Sequence, residues 1–166
     1  VIHILVSRKI TLLNPDNWDD GNDRYFMEKC SLATGAKSVS ALCFSQSSET
    51  YHHWSVFAPG SDGVCIDFKK SELQSTFSSD PEVKAQSIRY EKIDALSVSG
   101  VRASDLPFVK RLPYKDENEW RVVNTSMVRP RNFPDYDIKL AWINNVYLSP
   151  WMPKPLVVRE KKALRG

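Results

Sequence analysis

The sequence is poor in the patterns that usually disclose a chemistry. Its six glycines never form Gly-x-Gly-x-x-Gly or a Walker pattern, so nothing suggests a loop that cradles phosphates at the start of a helix. No Gly-x-Ser-x-Gly elbow surrounds any serine, which argues against a hydrolase triad. Cys30, Cys43 and Cys65 are odd in number and lack Cys-x-x-Cys spacing, and two of them sit in the apolar runs 41–44 and 64–66. They read as buried, reduced thiols of a cytoplasmic protein, with Cys43 unreactive in its apolar strand. The three histidines, His3, His52 and His53, have no ligand spacing, so no metal is expected. No apolar run approaches the roughly 18 residues that cross a membrane, and residues 1–6 lack a basic leader and a cleavage site. A soluble protein with no membrane partner is the expectation. The chain opens on Val1 with residues that already read as structured, a pattern that fits a trimmed N-terminus.

What is present is the composition of a folded domain. With 166 residues, 42% hydrophobic and 26% charged, the chain suits one domain spanning 1–166 that buries about 70% of its unfolded surface. The net charge of +3 is small but unevenly spread. Between Asn14 and Glu28 five acids (Asp16, Asp19, Asp20, Asp23, Glu28) face only Arg24, whereas from Arg129 to Gly166 eight bases face Asp135, Asp137 and Glu160. The basic C-terminal region is either a solvated helix face or a surface for the phosphates of a nucleic acid.

Short strands rich in β-branched and aromatic residues are expected at 39–45, 63–68, 87–90, 119–124 and 145–148. Helices are expected over 24–32, capped by Asn22 or Asp23, over 50–58, over a short run capped by Ser71 and ending near Phe77, and from Pro155 onward. The proline cluster 150–155 marks a turn between elements. The rhythm is not the regular strand-helix alternation of a doubly wound sheet. It predicts an α+β fold, with short mixed or antiparallel strands forming a central sheet flanked by helices.

The acidic stretch 14–23 resembles a calcium loop only superficially. Placing Gly21 at the invariant sixth position puts Trp18 at the third and Met27 at the twelfth, where oxygen ligands are required. The stretch reads instead as a turn with local Asx bonds and a helix start, or as a substrate-facing loop carrying Asp19, Asp20 and Asp23. Tyr51, Trp54 and Phe57 recur at helical spacing and predict a stripe facing the core.

The segment Tyr114-Lys115-Asp116-Glu117-Asn118-Glu119-Trp120-Arg121 holds two carboxylates at i, i+2 with an arginine two residues on. As a strand it would turn Glu117, Glu119 and Arg121 to one face and Asn118, Trp120 and Val122 to the other. This is either an ion-paired strand edge or an acid/base pair whose function needs one carboxylate held in a cleft.

In order along the chain, Leu13-Asn14-Pro15-Asp16-Asn17-Trp18-Asp19-Asp20, Ala41-Leu42-Cys43-Phe44-Ser45, Trp54-Ser55-Val56-Phe57-Ala58, Gly63-Val64-Cys65-Ile66-Asp67-Phe68, Ile88-Arg89-Tyr90, the segment 114–121 and Val146-Tyr147-Leu148-Ser149-Pro150 together resemble a mostly bacterial family catalogued as domain of unknown function 2971. Its members often lie on mobile or defence-related DNA, and its pattern is similar to ADP-ribosyltransferase-like folds. The resemblance implies NAD as a substrate, with Glu119 stabilising an oxocarbenium-like transition state and Glu117 orienting or deprotonating the acceptor. Ser45, Trp54 and Arg121 are then the cofactor-binding residues. Residues 1–6 show no equivalent of the family's aromatic-basic segment before the first helix.

Two functions follow as expectations. One is an ADP-ribosyltransferase-like enzyme acting on a macromolecular acceptor, with Glu119 in a cleft. The other is a non-catalytic module that holds a protein or nucleic acid through the acidic loop or the basic C-terminal region, with exposed Trp18 or Trp151 as an anchor.

Overall fold

The computed structural model describes residues 2–92, 94–95, 100–128 and 132–165. Val1, and of the basic C-terminal region Arg129, Arg131 and Gly166, lie outside them. The fold is α+β, and its strands are divided among four small sheets in the described residues where one central sheet was expected. The largest is three-stranded, with β7 (Glu119–Ser126) between β2 (Ser38–Ser45) and β4 (Val83–Ser87), both antiparallel to it. Two antiparallel pairs join β1 (Lys9–Thr11) to β8 (Asp135–Asp137) and β3 (Val64–Phe68) to β9 (Ile143–Leu148). The short strands β5 (Arg89–Glu91) and β6 (Val109–Arg111) pair in parallel.

The two faces of β7 explain the core. Trp120 and Val122 join Ile10, Leu12, Leu73, Phe77 and Ile138 in one apolar cluster. The opposite face turns Val123 to Met27, Ala41, Ile88 and Phe108, and on this same side lie the charged Glu119 and Arg121, as period-two alternation requires. Helix α2 (Gly21–Thr34) covers that side, burying Asp23, Met27 and Cys30, which recur at the spacing of one helix face. The helix begins earlier than the sequence suggests because Asp20 is its cap: its carboxylate accepts from the amides of Asn22 at 2.8 Å and Asp23 at 3.4 Å. It ends at Gly35, whose φ of 71° is the left-handed conformation a glycine adopts without steric cost.

Other local expectations need correction. The stretch 87–90 divides, Ser87 closing β4 and β5 opening at Arg89. Ser71 does not cap helix α4 (Lys70–Ser78); Lys69 holds the cap position without a side-chain bond. In helix α3 (Tyr51–Phe57) only Trp54 is buried, while Tyr51 and Phe57 stand in solvent, so the aromatic stripe packs through one ring instead of three. Helix α1 (Ile2–Ser7) precedes β1. Helix α5 (Lys154–Arg165) leaves Leu156, Val158 and Leu164 exposed. No helix among the described residues is long and apolar enough to cross a membrane.

Candidate functional site

The segment around Glu119 is a turn followed by a strand. A 3-10 turn over Leu112–Glu117 is closed by Asn118 at φ 43°, and β7 starts at Glu119. Asparagine suits this left-handed position better than most non-glycine residues. Period-two alternation therefore does not extend back to Glu117. The turn nevertheless folds Glu117 back into the same buried neighbourhood through Lys110, so the three charged groups meet for a different reason.

Arg121 is the centre of this neighbourhood, and none of its surface is exposed. Its Nε donates to Glu119 Oε1 at 2.5 Å, and Nη2 donates to Glu119 Oε2 at 3.0 Å and to Asp23 Oδ2 at 2.7 Å. Nη1 donates to the Pro107 carbonyl at 2.8 Å, and the Trp18 ring centre lies 5.0 Å from the guanidinium carbon. Lys110 on β6 donates to Glu117 Oε2 at 2.5 Å and stands 3.5 Å from both Asp23 Oδ2 and Glu119 Oε2. The Glu119 amide donates to the Tyr90 hydroxyl at 2.8 Å. Three carboxylates and two cations are thus interlocked in the interior. Pairing of this kind is what makes buried charge tolerable.

The pairing sorts the two glutamates. Burial pushes the Glu119 carboxyl up, but the charge and hydrogen bonds of Arg121, with help from Lys110, more than reverse this and hold it below its ordinary value. For Glu117 burial wins: Lys110 opposes it, Glu119 and Asp23 add to it, and the carboxyl sits above its ordinary value. Burial also works against the Lys110 ammonium, yet Asp23, Glu117 and Glu119 raise its pKa overall. One oxygen, Asp23 Oδ1, is buried without a hydrogen-bond partner among the described residues.

The other residues singled out in the sequence do not converge with this cluster on a common cleft. Ser45 is exposed, and its hydroxyl donates to the Glu117 carbonyl at 2.9 Å, which fixes the turn. Trp54 is buried and donates from Nε1 to Glu49 at 2.7 Å. Of the acidic loop, Asp19 is exposed, Asp20 is a helix cap, and Asp23 faces inward to Arg121 and Lys110. Asp23 is therefore a buried partner of the interior cluster. Cys43, expected to be buried, is exposed as a residue on β2 directly across from Arg121. Its thiol pKa is well above the ordinary range: desolvation raises it, Arg121 pulls it down, and Glu119 raises it again.

A groove of about 850 Å³ opens elsewhere, bordered by His3, Thr11, Asp16, Glu28, Phe133 and Asp135 among others, and none of Glu117, Glu119 and Arg121 lines it. Among the described residues no group of three His, Cys, Asp or Glu side chains is placed to hold a metal ion. Lys110, Tyr90 and the Pro107 carbonyl were missed in the sequence. Their only local signal is a lysine between apolar and basic neighbours, and their role exists only once β5, β6 and β7 have assembled.

A second assembly lies at the surface. The Tyr51 and Trp151 rings meet edge to face, 6.0 Å apart at 73°, with Tyr51 78% and Trp151 40% exposed. Trp151 stands in the turn just before α5, on which Lys154, Arg159, Lys161 and Lys162 form no ion pair among the described residues. Comparison with models of known protein families, with curated proteins and with solved structures finds no match to the chain in any of the three.

Proposed function

We propose that this chain is a non-catalytic interaction module that holds a macromolecular partner where Tyr51 and Trp151 meet the start of α5. The observation that carries this reading is the exposed, mutually packed pair of aromatic rings at the foot of a helix whose basic side chains lack ion-pair partners among the described residues. Aromatic side chains present large contact area at low entropic cost and recur as anchors of interfaces.

The alternative, NAD cleavage with Glu119 as the stabilising carboxylate and Glu117 beside it, is supported less well. It asks for a carboxylate free to meet the nicotinamide ribose in a cleft, whereas both Glu119 oxygens accept from Arg121 in the interior. An ion pair of this kind serves as an interior clamp.

A photo-reactive amino acid in place of the exposed Val158 should yield a discrete covalent adduct in cells. The adduct should vanish when Trp151→Ala is added. In parallel, millimolar NAD should neither raise the melting temperature nor release nicotinamide. Turnover of NAD that Glu119→Gln abolishes would replace the module reading with the transferase one.

A further inference from the structure

The platform formed by Tyr51 and Trp151 is held in place from below. Ser149 is 4% exposed; its amide donates to the Gly63 carbonyl at 2.8 Å and its hydroxyl to the Gly60 carbonyl at 2.9 Å. The same hydroxyl accepts from the Trp151 amide at 3.2 Å, and the Met152 amide donates to the Ser149 carbonyl at 3.0 Å. The turn is thereby tied to the loop that precedes β3. On the other side Thr50 caps α3, the helix that carries Tyr51, by accepting from the His53 amide at 3.1 Å. The backbone that carries both rings is thus ordered before a partner arrives, which lowers the cost of binding.

From that platform α5 extends about 18 Å, at 1.5 Å per residue over its 12 residues. At about 100° per residue, Lys154, Lys161 and Lys162 fall within one sector of about 100°, with the exposed Val158 between them. The opposite sector holds Leu156, the half-buried Val157, Ala163 and Leu164, but Glu160 falls in its middle. A helix that lies in a lipid surface needs an apolar face without such an interruption. Two exposed rings followed by a row of cations make instead the two halves of a single-strand binding site: a stacking platform and a track for the backbone. A duplex keeps its bases stacked inside and offers the rings nothing.

We infer that this surface binds single-stranded nucleic acid, bases stacking on Tyr51 and Trp151 while Lys154, Lys161 and Lys162 follow the phosphates. The inference rests on the interaction-module reading and names its partner. Charge complementarity supplies attraction without sequence preference, and the exposed rings select unpaired bases.

The test is fluorescence anisotropy of the full chain with three labelled probes: oligothymidylate of about 12 nucleotides, within the site size of known single-strand binders, an abasic strand of the same length, and a duplex. The oligothymidylate should bind at least about tenfold more tightly than the other two, in keeping with roughly 1–3 kcal/mol per stacked base. Trp151→Ala should remove the preference over the abasic strand, and Trp151→Phe should restore much of it. The pair Lys161→Glu and Lys162→Glu should weaken all probes. With about three phosphates neutralised, the logarithm of affinity should fall with the logarithm of salt at a slope of about −2. Melting temperatures of the variants, measured alongside, separate lost binding from lost folding. Equal affinity for the abasic strand, no binding by any nucleic acid, or binding only to anionic phosphatidylserine vesicles overturns the inference. If the Val158 adduct persists and contains protein alone, the module reading stands and only its nucleic-acid partner falls; NAD turnover dependent on Glu119 removes the module reading itself.

Discussion

Asp23 and Arg121 are separated by 98 positions and meet at 2.7 Å in the interior, tying helix α2 to the central strand of the largest sheet. Truncating one member of such a contact leaves the other charged and buried, which costs far more than the intact pair contributes. Arg121→Met should therefore destabilise the chain by about 3–5 kcal/mol, read as a lowered urea midpoint. Adding Asp23→Asn to Arg121→Met should cost less than Asp23→Asn alone, because Asp23 no longer has Arg121 to lose. Equal costs in both backgrounds would show that the two residues are not energetically coupled.

Glu117 and Glu119 should differ sharply when each is made neutral. Glu119→Gln leaves one acceptor oxygen but removes the charge that Arg121 grips through two nitrogens and turns an NH2 donor toward the guanidinium. With only Asp23 left as the charged partner of Arg121, a loss of about 3 kcal/mol is expected. Glu117→Gln keeps an oxygen that accepts from Lys110, while Asp23 and Glu119 remain 3.5 Å from that ammonium. About 1 kcal/mol or less is expected there. Urea titration of both variants at neutral pH checks the order, and a reversed order would refute the assignment of Glu119 as the clamp.

The same two groups set opposite pH trends. Glu119 is held below its ordinary value, so its contribution is present above the unfolded-state pKa of about 4.3 and fades as pH falls through the lower folded value. Glu117 is held above its ordinary value, so its contribution is full below about 4.3 and fades as pH rises through the higher folded value. Stability measured by urea from about pH 3 to 7 should show the acid-side loss shrink in Glu119→Gln and the loss on the rising side shrink in Glu117→Gln. Unchanged slopes in both variants would mean that these carboxylates titrate alike in the folded and unfolded chain.

The sequence made some of this visible and hid the rest for identifiable reasons. The alternation of Glu119, Trp120, Arg121 and Val122 marks a strand with two unlike faces, and the structure has that strand. Thr50 and the spacing of Tyr51, Trp54 and Phe57 locate α3, but periodicity reports a face and not what covers it: Tyr51 and Phe57 stay largely exposed, Tyr51 against the Trp151 ring and Phe57 against His53. Glu117 joins the cluster through a left-handed Asn118 that period-two reasoning does not anticipate. Asp23 reads in the sequence as a helix cap or a residue of a substrate-facing loop, because its partners lie 87 and 98 positions downstream at Lys110 and Arg121. Contacts of that range depend on the assembled sheets, and no local pattern encodes them.

Gly63 connects stability to the aromatic platform. A Cβ there would lie 2.7 Å from Ala58 Cβ and 3.2 Å from the Ala58 carbonyl oxygen, and the Gly63 carbonyl accepts the Ser149 amide that supports Trp151. Gly63→Ala should cost about 1–3 kcal/mol through overpacking. It should also weaken oligothymidylate binding at temperatures where the variant remains folded. A variant with normal stability and normal binding would show that this loop yields freely.

Cys43 offers a check on the interior charges from outside. It is exposed as a residue, unlike the buried Cys30, yet its thiol pKa is raised well above the ordinary range, so exposure alone is a poor guide to its reactivity. The thiolate is the reactive species, and desolvation together with the neighbouring Glu119 carboxylate suppresses it more than Arg121 promotes it. Cys43 should therefore react with an aromatic disulfide reagent more slowly than an unstructured cysteine peptide at about pH 8, near the ordinary thiol pKa. Glu119→Gln removes the negative charge and leaves Arg121 opposite the sulfur, so labelling of Cys43 should quicken about tenfold where the variant remains folded, as a shift of one pKa unit would give. Mass spectrometry of the labelled peptide separates Cys43 from Cys30 and Cys65. Labelling at the peptide rate in the unmodified chain would show that the thiol does not feel the buried cluster.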